Sequence, residues 1–328
     1  MKWIAFGLVL LLVLGCIGGG QPPAGEQETG NRTPETGNAS GGYLVIREGE
    51  GTVVTQGNAT PPQASATEYV STPNTDLYVY FFNVGSGDTQ GDAVLIKKGD
   101  TDILVDGGPS VSQQKLVNML LEKGVDDFEL VVSTHDDPEH YGGLEYVSNR
   151  FRFGEVWRPE EGGQEYAAYL ANLGEESLKI VGEGDRAVLN GINITVLNPI
   201  KGEDRFFDVN NDGIVLKVED RGLCVLLTGD ILGSQQRVAQ LSGPCQIVQW
   251  PNHGMGAGLT EINWMMDQTK PELIVISGSA TDWTNSRQSL KNAAVLGTVR
   301  NITVIENYLG EDVKIVWNGM RYNATVER

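Results

Sequence analysis

The histidines are the residues with the clearest chemical meaning, and the 328-residue chain has three of them. Two, His135 and His140, stand within six residues of each other, with Asp136, Asp137 and Glu139 between them. Imidazole nitrogens and carboxylate oxygens are together the donors that bind zinc, manganese and iron in proteins. The segment therefore predicts a divalent metal site, and a solvated acidic loop is the alternative interpretation.

The residues around this segment predict how it is positioned. The apolar run Phe128–Ser133 reads as a buried strand that ends at the acidic segment, and strand ends are common places for sites. Earlier in the chain, Leu77–Phe82 and Ala93–Lys97 are predicted to pair as a hairpin, followed by a strand over Thr101–Asp106. Val111–Lys123 has the apolar spacing of an amphipathic helix.

The rest of the body continues this mixture of strands and helices. Further strands are predicted over residues 155–157, 194–197, 214–218, 224–228, 247–250, 273–277, 302–305 and 313–317. Helices are predicted over residues 164–173, 233–241, 260–268 and 288–296. Because no strict β-α-β repeat is present, the pattern favours an α/β (α+β) fold of two mixed β-sheets packed together with helices outside.

The acidic segment resembles the HxHxDH signature of the metallo-β-lactamase superfamily. His135, Asp137, Glu139 and His140 occupy its four ligand positions. Asp137 stands where that signature has its second histidine, and Glu139 stands where it has an aspartate. Both replacements keep an oxygen donor while changing its reach and charge.

Further motifs resemble, in order and spacing, the extracellular metallo-β-lactamase domain of the ComEC competence family. They are FNVGSGD with GDAVLI (82–88 and 91–96), LVDGG (104–108), NNDGIVL (210–216), LTGD (227–230), WPNHGM (250–255) and PELIVISG (271–278). The resemblance implies that residues 76–328 form one αββα sandwich.

This resemblance also implies a metal centre with two sites. The implied ligands are His135 and Asp137 for one ion, Glu139, His140 and His253 for the other, and Asp230 as a bridge between them. Asp137, Glu139 and Asp230 are the expected catalytic carboxylates, in a reaction that uses metal-bound hydroxide. Asp92 and Asp106 are expected to orient ligand imidazoles by accepting their second ring N–H.

Two departures from the family pattern affect the choice of metal. Asn252 replaces the first histidine of the HHGS loop, and the loop over residues 280–286 lacks the histidines expected there. A site richer in carboxylate favours harder ions. We therefore expect one or two divalent ions, zinc or manganese.

The N-terminal segment has the layout of an export signal. A basic residue, Lys2, precedes the apolar run Ile4–Leu14, and Val13-Leu14-Gly15-Cys16 resembles the lipobox of prokaryotic lipoproteins. We predict a signal peptide over residues 1–16, lipidation of Cys16 and a disordered Gly/Pro/Thr-rich linker over residues 17–75. The alternative is an ordinary cleaved signal or a short signal anchor; in either case the protein leaves the cytoplasm.

Two kinds of modification suit an exported protein. The glycosylation pattern Asn-x-Ser/Thr recurs six times, at Asn31, Asn38, Asn58, Asn193, Asn301 and Asn323. Cys224 and Cys245 are the only cysteines besides Cys16. They form either a single disulfide or two buried free thiols.

The formal net charge of −19 opposes nonspecific binding to nucleic acid and anionic membranes. It does not exclude a nuclease, because divalent cations invert the local field of a carboxylate-rich site. The function hypothesis is a metal-dependent hydrolase, lipid-anchored at the outer face of the cell membrane. Family resemblance alone implies a phosphodiester substrate such as nucleic acid. The alternatives are a catalytically silent surface binding protein of the same fold and a hydrolase of esters or other bonds.

Overall fold

The computed structural model describes residues 55–58, 75–87, 89–173, 177–202, 209–254, 259–277, 300–307 and 311–327. The predicted signal peptide with Cys16, most of the predicted linker and the helix predicted over 288–296 lie outside the described residues. Four residues of the linker segment, Thr55–Asn58, form a strand. Within the described ranges, no helix has both the length and the apolar character needed to cross a membrane.

The described elements are sixteen strands and six α-helices. The strands are β1 (Thr55–Asn58), β2 (Leu77–Phe81), β3 (Val94–Lys98), β4 (Thr101–Val105), β5 (Asp127–Val132), β6 (Arg152–Arg158), β7 (Leu178–Ile180), β8 (Arg186–Leu189), β9 (Ile192–Asn198), β10 (Val215–Asp220), β11 (Leu223–Leu227), β12 (Ile247–Gln249), β13 (Leu273–Ile276), β14 (Thr303–Glu306), β15 (Asp312–Trp317) and β16 (Arg321–Glu327). The helices are α1 (Gln113–Glu122), α2 (Pro138–Tyr141), α3 (Leu144–Ser148), α4 (Gln164–Ala171), α5 (Gln235–Ser242) and α6 (Leu259–Thr269).

The strands form two mixed sheets. The first has nine strands in the order β1-β16-β15-β2-β3-β4-β5-β6-β7, and the second has seven in the order β14-β13-β12-β11-β10-β9-β8. In the first sheet the pairs from β4 to β7 are parallel, and in the second the pairs from β11 to β14 are parallel. The other pairs are antiparallel, so each sheet has one parallel half and one antiparallel half.

Side-chain alternation along the strands produces three apolar layers. In β2, Leu77 and Phe81 belong to the cluster shared by the two sheets, whereas Tyr80 belongs to a cluster with α1, α3 and α4. In β11, Val225 faces the shared cluster and Leu226 faces a third cluster with α5 and α6. Successive strand residues point to opposite faces, so each sheet buries both faces. The result is the predicted αββα sandwich.

Most strands predicted from apolar runs are confirmed, including the hairpin, in which Phe81 pairs with Val94. The sequence pattern does not predict β7, β8 or β16, which are short or rich in polar residues. In β16, Tyr322 and Ala324 enter the shared core and Val326 packs against it, while Arg321 and Asn323 are exposed. Its apolar positions alternate with polar ones, but one of them is the small Ala324, so the apolar signal in the sequence is low.

The two cysteines of the body form a disulfide, one of the two alternatives from the sequence. Cys224 in β11 and Cys245 just before β12 have Cα atoms 4.9 Å apart. The bond therefore ties together two neighbouring parallel strands whose following loops carry Asp230 and His253.

Candidate metal centre

The histidines and buried aspartates meet at one edge of the sandwich, where strands of both sheets end. Asp106 follows β4, His135 lies three residues after β5, and Asp230 lies three residues after β11. His253 follows β12 in a short turn in which its φ is +50°. Asp92 precedes β3, which runs antiparallel to β4, and so reaches the same edge. The carboxyl ends of parallel strands thus supply most of the polar groups.

Two pairs of glycines bring Asp106 and His140 together. The amide of Gly107 donates to the carbonyl of His140 (2.7 Å), and the amide of Gly143 donates to the carbonyl of Gly108 (2.9 Å). A Cβ on Gly143 would lie 2.2 Å from the carbonyl oxygen of Gly107. The end of β4 and the turn after α2 therefore approach each other backbone to backbone, which only glycine permits.

The carboxylate of Asp106 orients two histidines. Its Oδ2 lies 2.9 Å from Nδ1 of His140 and accepts a hydrogen bond from the Thr134 hydroxyl at 2.7 Å. The Thr134 hydroxyl uses its one proton in the hydrogen bond to Asp106. Its oxygen therefore accepts a hydrogen bond from Nδ1 of His135, 2.9 Å away. Both rings therefore carry their proton on Nδ1 and leave Nε2 as a lone-pair donor.

The third histidine is fixed in the same way by another acceptor. Nδ1 of His253 lies 3.1 Å from the carbonyl oxygen of Ser277, which can only accept. Its Nε2 lies 3.5 Å from Oδ2 of Asp230, and Nε2 of His140 lies 3.4 Å from the same oxygen. All three imidazoles thus use Nδ1 for these contacts, so Nε2 is the atom that would bind a cation, in exchange for a proton where it carries one.

Asp92, His140, Asp230 and His253 each offer a donor atom, and these four atoms lie within 4.8 Å of one another. All four side chains are buried, and Oδ1 of Asp230 has no hydrogen-bond partner among the described residues. Donors on a tetrahedral ion, each about 2.1 Å from it, lie about 3.4 Å apart. The spacings around Asp230 match that value, so the residues fit a divalent ion.

Burial and charge oppose each other in this cluster. Burial disfavours protonation of His140 and His253, but nearby carboxylates, foremost Asp230, raise the pKa of His140 well above its ordinary range and that of His253 to about 9. Burial alone would raise the pKa of Asp230, yet His253 and His140 lower it well below its ordinary range. The carboxylate of Asp230 is therefore ionised and requires positive charge beside it, which protons or a cation can supply.

The family model described as the metallo-beta-lactamase superfamily matches residues 86–298, which include every member of this cluster. The chain belongs to the metallo-β-lactamase superfamily. This confirms the family resemblance drawn from the HxHxDH-like segment and the motifs that follow it.

Relatives of this metallo-β-lactamase-fold chain are distant. The competence protein ComA of Neisseria gonorrhoeae is 24% identical over 209 residues, which covers 62% of this chain and 28% of ComA. This match supports the ComEC-like motif assignment for the domain, while spanning less than a third of the relative's length.

Solved structures align with the chain at low sequence identity. A variant of the β-hydroxylase CmlA, an enzyme from Streptomyces venezuelae, aligns with a TM-score of 0.51 at 15% identity, over 74% of this chain and 54% of that chain. The metallo-β-lactamase fold protein YhfI from Bacillus subtilis aligns with a TM-score of 0.49 at 13% identity, over 72% of this chain and 98% of that chain.

Three of the six predicted ligands, His140, Asp230 and His253, lie in the four-residue cluster, and Asp92, predicted to orient a ligand, is the fourth member. His135 stands beside it, with its ring centroid 4.2 Å from that of His140. Burial and the neighbouring His140 lower the pKa of His135 to about 4. Its Nε2 is buried without a hydrogen-bond partner among the described residues. His135 is therefore a neutral donor at the rim of the cluster.

The other two predicted ligands, Asp137 and Glu139, lie outside this cluster. The carboxylate of Asp137 accepts a hydrogen bond from the amide of Glu139 (3.1 Å) and so caps α2. Glu139 is half-buried, and burial together with Asp137 raises its pKa. Their roles as ligands stay predictions.

Two residues that shape the site carry no family motif. Thr134 relays the orientation of His135, and Gln249 contacts Asp92. The one signal for Gln249 in the sequence is its position as a polar residue in the apolar run Ile247–Trp250.

Proposed function

We propose that this protein is a metal-dependent hydrolase that cleaves phosphodiester bonds outside the cell. The observation that carries the proposal is the buried set of Asp92, His140, Asp230 and His253, whose donor atoms lie within 4.8 Å of one another. Buried carboxylates without partners are costly, and a cation relieves that cost. A bound divalent ion would lower the pKa of a water molecule and polarise the bond under attack.

The chain's own residues would prepare this site before substrate arrives. Asp106 and the carbonyl oxygen of Ser277 hold the rings of His140 and His253 so that each Nε2 is available. Asp230 contributes a full negative charge between them. Because these groups are fixed by hydrogen bonds in a buried place, little reorganisation is needed when an ion binds.

The choice of a phosphodiester rests on the ComEC-like motifs, with the competence protein ComA as a matching relative. The chain is strongly acidic, with a net charge of −19, so nucleic acid would have to be drawn to the metal itself.

The extracellular setting rests on the signal-like N-terminus and on the Cys224–Cys245 disulfide, since disulfides persist mainly in oxidising compartments. We propose that Cys16 is lipidated and holds the domain at the outer face of the cell membrane. Asn193, Asn301 and Asn323 are exposed and are the described candidates for glycosylation.

The test uses the purified full chain with added manganese or zinc. Metal content is measured first, and then hydrolysis of bis-nitrophenyl phosphate, single-stranded DNA and a nitrophenyl ester. Asp230→Asn is compared with Asp100→Asn, a control in the exposed turn between β3 and β4. We expect bound metal and diester cleavage in wild type and control, and loss of both in Asp230→Asn.

The same assay distinguishes the alternatives. If the protein cleaves only the nitrophenyl ester, its substrate is an ester and the phosphodiester assignment is wrong. Absence of both metal and hydrolysis in the wild-type protein would instead indicate a surface binding protein that keeps the fold.

A further inference from the structure

Gln249 is a buried polar residue in the second sheet, with 3% of its surface exposed, and it contacts one member of the metal cluster, Asp92. Its Nε2 donates to Oδ2 of Asp92 at 2.7 Å, across 157 residues of sequence. Asp92 leads into a strand of the first sheet. The side chain of Gln249 therefore joins the two sheets at the site.

The other end of the same amide is held by the loop that carries Asp230. Oε1 of Gln249 accepts from the amides of Thr228 (3.2 Å) and Gly229 (3.4 Å). The backbone carbonyl of Gln249 also accepts from the Thr228 hydroxyl at 3.0 Å. Because amide N–H groups can only donate, they fix which end of the Gln249 amide faces Asp92.

This arrangement gives the two oxygens of Asp92 different tasks. Oδ2 is occupied by the Gln249 amide, while Oδ1 is buried without a hydrogen-bond partner among the described residues. A buried carboxylate with one oxygen in a hydrogen bond and one free oxygen presents a single ligand atom to a metal ion. Asp92 offers one carboxylate oxygen within 4.8 Å of the donor atoms of His140, Asp230 and His253, so this carboxylate reaches the cluster.

We infer that Gln249 is a positioning residue that sets Asp92 and the Thr228–Asp230 loop in register and thereby determines the affinity of the site for a divalent ion. The inference rests on the proposed function, because it takes Asp92 and Asp230 as ligands. It adds a residue that is not one of the four donors of the cluster. The ligand class is a divalent cation of the zinc or manganese type.

A neighbouring glutamine provides a matched control. Gln246 also bridges β11 and β12: its Oε1 accepts from the amide of Cys224 (2.9 Å) and its Nε2 donates to the carbonyl of Gly222 (3.4 Å). Both of these hydrogen bonds go to backbone atoms, and neither involves Asp92. Gln249→Met and Gln246→Met therefore each remove a bridging amide of the same sheet, but only the first removes the contact to a ligand.

The experiment measures the dissociation constant of Mn²⁺ and Zn²⁺ by calorimetry on the full chain, with unfolding by urea in chelator as the measure of stability. We expect Gln249→Met to weaken metal binding about 10- to 100-fold, the usual effect of losing a residue that holds a ligand. Gln246→Met should keep the wild-type affinity even if its stability falls. Gln249→Asn, too short to reach both partners, should also weaken binding and serves if the methionine variant does not fold.

Two further variants distinguish a failure of the Gln249 inference from a failure of the proposed function. In an Asp92→Ala background, Gln249→Met should change the affinity less than it does in the wild-type background, because only its contacts with the Thr228–Asp230 loop are then left to lose. If Asp230→Asn abolishes binding while Gln249→Met and Gln249→Asn leave it unchanged, the positioning role is wrong and the proposed site survives. Equal weakening by Gln249→Met and Gln246→Met also overturns the inference, since it would reflect a general loss of sheet order. If Asp230→Asn itself binds metal normally, the proposed function fails.

Discussion

Oδ2 of Asp106 lies 2.9 Å from Nδ1 of His140, and the same oxygen accepts the Thr134 hydroxyl that contacts His135. One buried carboxylate thus holds both histidines of the HxHxDH-like segment from behind. The distance from Asp106 to His140 is set by backbone packing between the glycines that follow them. The orientation of Nε2 on both rings therefore depends on this carboxylate.

Replacing Asp106 by asparagine should weaken metal binding about 10- to 100-fold. Asp106 accepts from the Thr134 amide through Oδ1 and from the Thr134 hydroxyl and His140 through Oδ2, and the NH2 group of asparagine can replace neither oxygen as an acceptor. Asparagine also tolerates the positive φ of +61° at this position, so the backbone need not move. The measurement is a chelator competition for Zn²⁺, with Asp100→Asn as control. Equal affinities of the two variants would show that Asp106 does not support the site.

The order of apolar runs and motifs was sufficient to predict the sandwich, and it named as ligands three members of the buried cluster, His140, Asp230 and His253. It did not predict that Asp92 joins the cluster around Asp230 while Asp137 and Glu139 lie outside it, because that depends on which side chains turn inward. Asp137 has its carboxylate engaged by the first turn of a four-residue helix. The contact from Gln249 to Asp92 joins residues 157 positions apart, and no local pattern encodes such a pair.

Substitutions of Asp137 test whether this residue acts as a helix cap or as a metal ligand. Its carboxylate accepts from the amide of Glu139, so Asp137→Ala should lower the free energy of unfolding by about 1 kcal/mol, the usual cost of losing an N-cap. Asp137→Asn keeps a cap oxygen and should preserve stability. We expect metal affinity to be unchanged in both. Loss of metal in Asp137→Asn with normal stability would instead establish Asp137 as a ligand.

Asp102 should make stability depend on pH. Its side chain is fully buried, with Lys97 Nζ 2.8 Å away, and burial raises its pKa to about 6. The folded pKa lies above the unfolded value of about 4, so the stabilising contribution is complete below pH 4 and is lost as pH rises to 6. The contribution is on the order of 2 kcal/mol.

Urea unfolding from pH 4 to pH 7 provides the measurement for Asp102. Asp102→Asn should remove the part of the decline between pH 4 and pH 6 that wild type and Asp100→Asn share. Parallel curves for all three proteins would mean that Asp102 is ionised throughout this range.

Gly143 tests whether backbone packing positions His140. Its φ of −88° is ordinary for any residue, so alanine would introduce no conformational strain there. The added Cβ would, however, lie 2.2 Å from the carbonyl oxygen of Gly107, a backbone atom that cannot swing aside. Gly143→Ala should therefore force α2 away from the end of β4 and cost about 1 to 3 kcal/mol of stability.

The control for this change is Gly163→Ala, where the added Cβ would meet only the Asp136 carboxylate, at 3.1 Å, and that side chain can move. Thermal unfolding in chelator and Zn²⁺ affinity are measured on both variants. We expect Gly143→Ala to lower both quantities, because the displaced helix separates His140 from Asp106, while Gly163→Ala leaves metal affinity unchanged. A Gly143→Ala protein that unfolds earlier but binds Zn²⁺ like wild type would show that the Asp106–His140 contact tolerates the shift, and the glycine pairs would then matter for stability alone.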